Sequence, residues 1–318
     1  MTGCLHITAS IPKGPIVSFS VGGAHATSYT DEGNGISSMQ VGNGPEITAA
    51  GDQKSEDRNV PTFTGVAVAD IISLEYTQGP ADSVRVSAQE NILKHVKTEV
   101  NKDGVLNIEL EEGNYHHVGA IIVTVTSPTI KYLDASSSSR AKATGIDTDK
   151  LELGCSGGST MNITGKCGEL KGDVSGGATL GGSLLCQRNT TLEVSGSATA
   201  ELSGPSSESA DFQVSGSGRL KYSDLRTNVF SINLTGGSQG DLSGSAKSGK
   251  VVAEGAGQAN IEDLAIDVCD AEASGASTIR ANVTSSLKAE ASGASNITYK
   301  GSPVVHKSAS DASNVSQE

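Results

Sequence analysis

The sequence predicts an all-β chain wound as a parallel β-helix, or solenoid, taken as right-handed, with coils of about 18–20 residues. Three observations predict it. Ser-Gly or Thr-Gly pairs recur at near-constant spacing over the last three fifths of the chain. Apolar residues hold fixed offsets from each pair. The composition lacks the large side chains that a wide core needs.

Composition sets the first bound. Apolar residues make up 36% of the 318 residues, aromatics 3%, and there is no Trp. The usual globular share of apolar residues is about 45–50%. There are 39 glycines. Such a chain folds only around a narrow core, with long ladders of backbone hydrogen bonds. Short apolar alternations recur along most of it, which argues against disorder.

The spacing gives the coil. Taking the Gly after each Ser or Thr as the corner, the corners are Gly157, Gly176, Gly196, Gly216, Gly236, Gly275 and Gly293. Gly255 joins them behind Glu254, Ser137 takes the position upstream and Asp311 the one downstream. Each step is 18 to 20 residues, which makes ten turns with the last cut short. Four and two residues before a corner stand pairs such as Leu192 and Val194, Phe212 and Val214, Ile232 and Leu234. Four and six after it stand Ala200 and Leu202, Leu220 and Tyr222, Ala259 and Ile261. Alternate residues of a strand share a face, so these offsets define one inward column per strand. Each coil thus reads as strand, corner, strand, then a less regular connection. Stacked coils would lie about 4.8 Å apart.

Volumes trade across this thin core. Where the sites before the corner are large, as at Gly196 and Gly236, the site four after is Ala200 or Gly240. Where they are Ala271 and Ala273, or Ala289 and Ala291, it becomes Ile279 or Ile297. Close packing requires such compensation. Leu220 departs from the trade.

Upstream of the repeat, residues 58–132 alternate apolar and polar in short runs and read as less regular opening strands of the same β-helix domain, 58–318. The stretch 87–100 reads as strand on context, although Ile92, Val96 and Val100 are spaced by four. Residues 1–57, rich in Gly, Ser and Pro, read as a poorly structured leader and linker. Small residues before Cys4 match the end of a bacterial lipoprotein signal. On that reading Cys4 is lipidated and the upstream part of the gene lies outside this sequence. A chance Thr-Gly-Cys is the equal alternative.

The block 63–110 is similar to the opening of the auto-transporter adhesin head GIN domain family. The residues that carry the resemblance are Phe63 to Val66, the Gln78-Gly79 turn, Val84 to Val86, the Glu90-Asn91 pair and Asp103 to Ile108. With the later Ser-Gly repeats it covers about residues 58–318. The resemblance implies a secreted or cell-surface protein of the bacterial envelope, a β-helical adhesin. It supplies no catalytic motif.

The candidate site is the corner itself. Ser156, Ser175, Ser195, Ser215, Thr235, Ser274 and Ser292 share one offset and should form a hydroxyl ladder. It reads either as a repetitive polar stripe for glycan or protein, or as a structural necessity of tight corners, the second being favoured. Cys167 and Cys186 each lie ten residues past their corner, so they should stack as buried thiols or, in an oxidising compartment, as a disulfide. His116 and His117 read as a solvated polar loop rather than a metal site. Asp263, Asp267, Asp270 and Glu272 read as surface.

Charge and clustering exclude other functions. A net charge of −13 opposes binding to nucleic acid or anionic membrane. No apolar run reaches transmembrane length. Acids scatter over the offsets and aromatic platforms are scarce, so no catalytic, cofactor or metal site is expected. The expectation is a non-enzymatic protein of the cell surface or periplasm. It presents a polar surface to a glycan or protein of unknown identity and pairs end to end as a homodimer. A carbohydrate-active enzyme and an inert scaffold are the alternatives.

Overall fold

The computed structural model describes residues 17–19, 27–31, 36–206 and 208–318; Cys4 lies outside them. Most of those residues form a β-solenoid of parallel stacked coils, and none of them lies in an α-helix. Long strands such as Arg140–Cys155, Thr160–Val174, Arg219–Leu234 and Gln258–Ala273 each run from one corner almost to the next, and each pairs in parallel with its successor. The connection expected to be irregular is therefore mostly strand. It carries a second bend, at Gly145, Gly165, Gly204, Asp224, Gly244 and Gly301, each eight residues past its corner and with positive φ. Gly182 bends two residues earlier, at φ 139°. Gly244 shows why the site is restrictive: its φ is 129°, and a Cβ there would run into the Leu225 carbonyl oxygen of the preceding coil.

The inward columns are where the offsets place them. Leu192, Val194, Phe212, Val214, Ile232, Leu234, Ile279 and Ile297 are all buried. The volume trade is real and local. A Cβ added to Gly240 would lie 2.5 Å from the Ile232 Cδ1 and 3.2 Å from a Leu234 methyl. Leu220 is explained by its axial neighbours: it stacks between Ala200 and Gly240. Phe230 likewise stacks between Ala210 and Gly249, and its ring fills the space a Gly249 side chain would need. Compensation thus runs along the rod as well as across it.

The lower end is built differently. Gly65–Val68, the corner at Asp70 and Ser73–Gln78 form a coil directly beneath the one at Ser137. Val105–Leu110 and Ile122–Ser127 lie in parallel below that coil. Val96–Val100 and Ser83–Gln89 then close the stack with antiparallel pairing. Leu93–His95 between them is a 3₁₀ turn, so the stretch 87–100 is not one strand.

Among the described residues of the segment read as leader and linker, Ile36–Val41, Glu46–Thr48 and Gln53–Arg58 are strands. Gln53–Arg58 pairs antiparallel with Ser83–Gln89, although its first five residues are exposed. Ladder hydrogen bonds and the pairs Lys54–Glu90 (2.6 Å) and Arg85–Asp57 (2.6 Å) accompany it. With no buried face there is no alternation for a periodicity reading to detect. Ile36–Val41 and Glu46–Thr48 flank Gly113–Val118 in a separate small sheet. His116 and His117 therefore sit in a strand rather than a loop. His116 Nε2 lies 2.6 Å from Glu46 Oε2, and His117 breaks the alternation with φ 56°.

Candidate functional site

The corner begins with backbone geometry. Gly157, Gly176, Gly196, Gly216, Gly236, Gly255, Gly275 and Gly293 all have φ between 69° and 78°. Ser137 and Asp311 adopt the same left-handed conformation at 59°. At Gly216 a Cβ would stand 2.9 Å from the Gly196 oxygen, so steric room and φ both select glycine. That carbonyl is engaged, accepting from the Ser217 N–H at 2.7 Å. The same bond recurs from Gly177 to Gly157 and from Ala294 to Gly275, each at 2.7 Å. A row of peptide hydrogen bonds therefore runs along the edge of the rod.

The residue before each corner faces partly outward. Ser156, Ser175, Ser195, Ser215, Thr235, Ser274 and Ser292 are half-buried and aligned one per coil. Two residues after the corner stands a second small column that the offset reading overlooked: Ser139, Ser159, Ala178, Ala198, Gly218, Ser238, Gly257, Ser277 and Ser295, all buried. Here the hydroxyls have a structural task. Ser159 Oγ donates to the Ala135 carbonyl at 2.8 Å, Ser277 Oγ to Ala253 at 2.8 Å, and Ser295 Oγ to Ala273 at 3.0 Å. At these corners the inner hydroxyl ties the turn to the coil below, which leaves the outer hydroxyl there free of that duty. Ala178, Ala198, Gly218 and Gly257 carry no hydroxyl, and Ser238 Oγ makes no such bond. The phrase Ser-Gly-x-Ser/Ala, read over four residues instead of two, would have revealed the inner column.

Beside the outer hydroxyls, three residues before the corner, lies a column of Asp173, Glu193, Gln213, Asn233, Val252, Glu272 and Glu290. The two columns line shallow grooves. One, of about 340 Å³, is bordered by Glu254, Glu272, Ser274, Glu290, Ser292 and Ser310. Another, of about 130 Å³, is bordered by Asp173, Glu193, Ser195, Gln213, Ser215 and Thr235. Lysines stand at the outer rim. Lys250 lies 3.0 Å from Glu272, and Lys288 lies 2.8 Å from Glu290 and holds that carboxyl below its ordinary range.

The lower end of the same column holds a different carboxyl. Asp134 lies against Gly154, where an added Cβ would meet its Oδ1. Burial raises its pKa; the hydrogen bond with Tyr132 opposes this, and the charge of Asp173 adds to the rise. Burial first, then the charge of Asp134, pushes the Tyr132 hydroxyl up to about 12.

The two cysteines meet as their offsets imply. Cys167 and Cys186 are register partners on neighbouring coils, both buried, with sulfurs 3.1 Å apart. The hydrogen bond to Cys186 raises Cys167, while the same bond stabilises the Cys186 thiolate and lowers its pKa. Asp263 and Asp267 are exposed, whereas Asp270 and Glu272 are half-buried beside lysines. Among the described residues no group of three or more His, Cys, Asp or Glu could hold a metal ion, and no helix is long and apolar enough to cross a membrane.

Comparison with known proteins agrees with this architecture. Residues 62–224 and 190–303 match the family described as "Putative auto-transporter adhesin, head GIN domain". A solved structure from Parabacteroides merdae, described as a putative adhesin, superposes with a TM-score of 0.50 at 18% identity, covering 86% of this chain and 99% of that one. A putative adhesin from Parabacteroides distasonis gives 0.49 at 21% identity, covering 86% of this chain and 100% of that one. A second P. distasonis structure, described as a putative lipid binding protein, gives 0.46 at 18% identity over 86% of this chain and 99% of that one. No curated protein matches the chain.

Proposed function

Because the chain belongs to the auto-transporter adhesin head GIN domain family, we propose that it is a non-enzymatic adhesin of the bacterial envelope. Its outer corner stripe is the binding face, and the ligand is a surface glycan or a protein. One observation carries this reading. The outer hydroxyls repeat in every coil from Gly157 to Gly293 except at Glu254, beside a column of carboxylates and amides interrupted at Val252, and together they line the 340 Å³ groove between Glu254 and Ser310. A repeat of about 4.8 Å offers evenly spaced acceptors and donors to an extended ligand. At the corners of Ser274 and Ser292 the inner Ser277 and Ser295 already hold the turn, so the outer hydroxyls there are not needed for it. Cys4, if lipidated, is the anchor to the membrane in this proposal.

Glycan-array and surface-protein binding of the full chain tests the reading. We expect a ligand whose binding falls at least ~10-fold, about 1.4 kcal/mol, when Ser274→Arg and Ser292→Arg fill the groove. No new reducing or unsaturated sugar ends should appear. Turnover on polysaccharides would replace the adhesin by an enzyme. Absence of any ligand would leave a structural scaffold.

A further inference from the structure

We propose that Cys167 and Cys186 are a disulfide-forming pair that staples two neighbouring coils at the interruption of the solenoid's strands. In-register positions on parallel neighbours lie about 4.8 Å apart, within the Cα separation of roughly 4.4–6.8 Å that a disulfide spans. The sulfurs are 3.1 Å apart and need to close by about 1 Å to reach the ~2.05 Å bond. Cys155 and Cys269 have no such partner: their register neighbours are Ala135 and Val174, and Gly249 and Leu287.

The location gives the bond a purpose. In six other coils one strand of 14 to 16 residues carries the ladder between corners. In the two coils that follow Gly176 and Gly196 it breaks into strands of 8, 6, 5 and 6 residues. Only the terminal coil after Gly293 is also divided, into strands of 5 and 6 residues. Cys186 is the last residue before one break, and only an isolated bridge to Ser206 continues its column. The second bend is also displaced here, to Gly182. A covalent link at this point supports the ladder where the strands inside the array are interrupted.

The chemistry balances with one oxidant, a protein or small-molecule disulfide of an oxidising compartment. The Cys186 thiolate attacks one sulfur of that disulfide, forming a mixed disulfide and releasing one thiol. Cys167 then gives up its proton to water and attacks the Cys186 sulfur, releasing the second thiol. Two cysteine thiols are oxidised and one external disulfide is reduced. Both sulfurs are buried in the finished fold, so the exchange takes place as these coils close.

The test uses the full chain exported to the periplasm of a bacterial host, purified folded and without reductant, then alkylated in denaturant, digested and mapped by mass spectrometry. The expected result is one peptide pair linked through Cys167 and Cys186, with Cys155 and Cys269 alkylated. Reductant should lower Tm by about 5 °C in this protein and leave Cys167→Ser and Cys186→Ser unmoved. Recovery of the folded, exported protein with both thiols alkylated overturns the proposal. The result stands apart from any ligand, so failure of the adhesin reading leaves it intact.

Discussion

The coil array above Ser137 and the block beneath it solve the same problem in opposite ways. In the array each strand meets a near-copy of itself, so large residues such as Leu220 and Phe230 take small ones above and below them, and every corner must repeat. In the lower block the neighbours are unrelated segments. Val66 stacks between Leu106 and Leu133, and Tyr76 packs beside Ala143 with its hydroxyl 2.8 Å from Ser127 Oγ. Its first corner is an aspartate rather than a glycine: Asp70 has φ 62°, and its carboxylate accepts the Leu110 N–H at 2.8 Å. Repetition restricts sequence at the backbone; its absence moves the restriction to individual side chains.

The sharpest way to break the array is through its core. Phe212→Ala removes a buried ring whose centroid lies 5.3 Å from that of Tyr222, and should cost about 3–5 kcal/mol in urea unfolding. Ile297→Ala, stacked between Ile279 and Val315 in a coil whose sites before the corner are only Ala289 and Ala291, should cost about 2–5 kcal/mol. An unchanged midpoint in either would contradict the compensation of volumes. Next comes the corner itself. Gly216→Ala should cost about 2–3 kcal/mol, from positive φ and from contact with the Gly196 carbonyl. In the lower block Asp70→Gly should relieve backbone strain yet leave the Leu110 N–H without its carboxylate, a net loss of about 1–3 kcal/mol. Stabilisation by that change would erase the contrast between the two regions.

A pH experiment separates the regions further. The folded pKa of Asp134 is raised, chiefly by burial. Below the ordinary carboxylate range both folded and unfolded states hold the proton, and no penalty exists. Stability is lost as pH rises from that range through the raised value. Asp134→Asn should therefore flatten the acid-to-neutral stability profile and raise Tm at neutral pH relative to the parent. A parallel displacement of the two profiles would show that another group governs the slope. The smallest effect belongs to Arg85→Ala. Both partners of the Arg85–Asp57 pair are more than half exposed, so Tm should stay within error.

Legibility followed the same division. Corners, inward columns and the volume trade could be read because a repeated environment imposes a repeated residue. The second bend was legible in principle, in Gly165, Gly204, Gly244 and Gly301. It was obscured because Asp224 and the displaced Gly182 interrupt the series. Gln53–Arg58 was not legible, since exposed edge residues carry no alternation. Of the candidate site, the outer hydroxyl column could be placed from spacing alone. The acidic column beside it could not, because those positions face solvent and vary freely from coil to coil.

The flank opposite the corners is where this rod accepts change of length. Where a 20-residue step gives way to one of 18, the pairing slips between Ile261 and Ala265 and again between Ile266 and Val268, while Ala271 to Ala273 stay aligned with Ala289 to Ala291. Coil length is thus absorbed on the flank away from the corner. A peptide grafted near Asp263 would project from that flank and leave the corner edge straight. The protein behaves as a ruler whose graduations are fixed along one side and adjustable along the other.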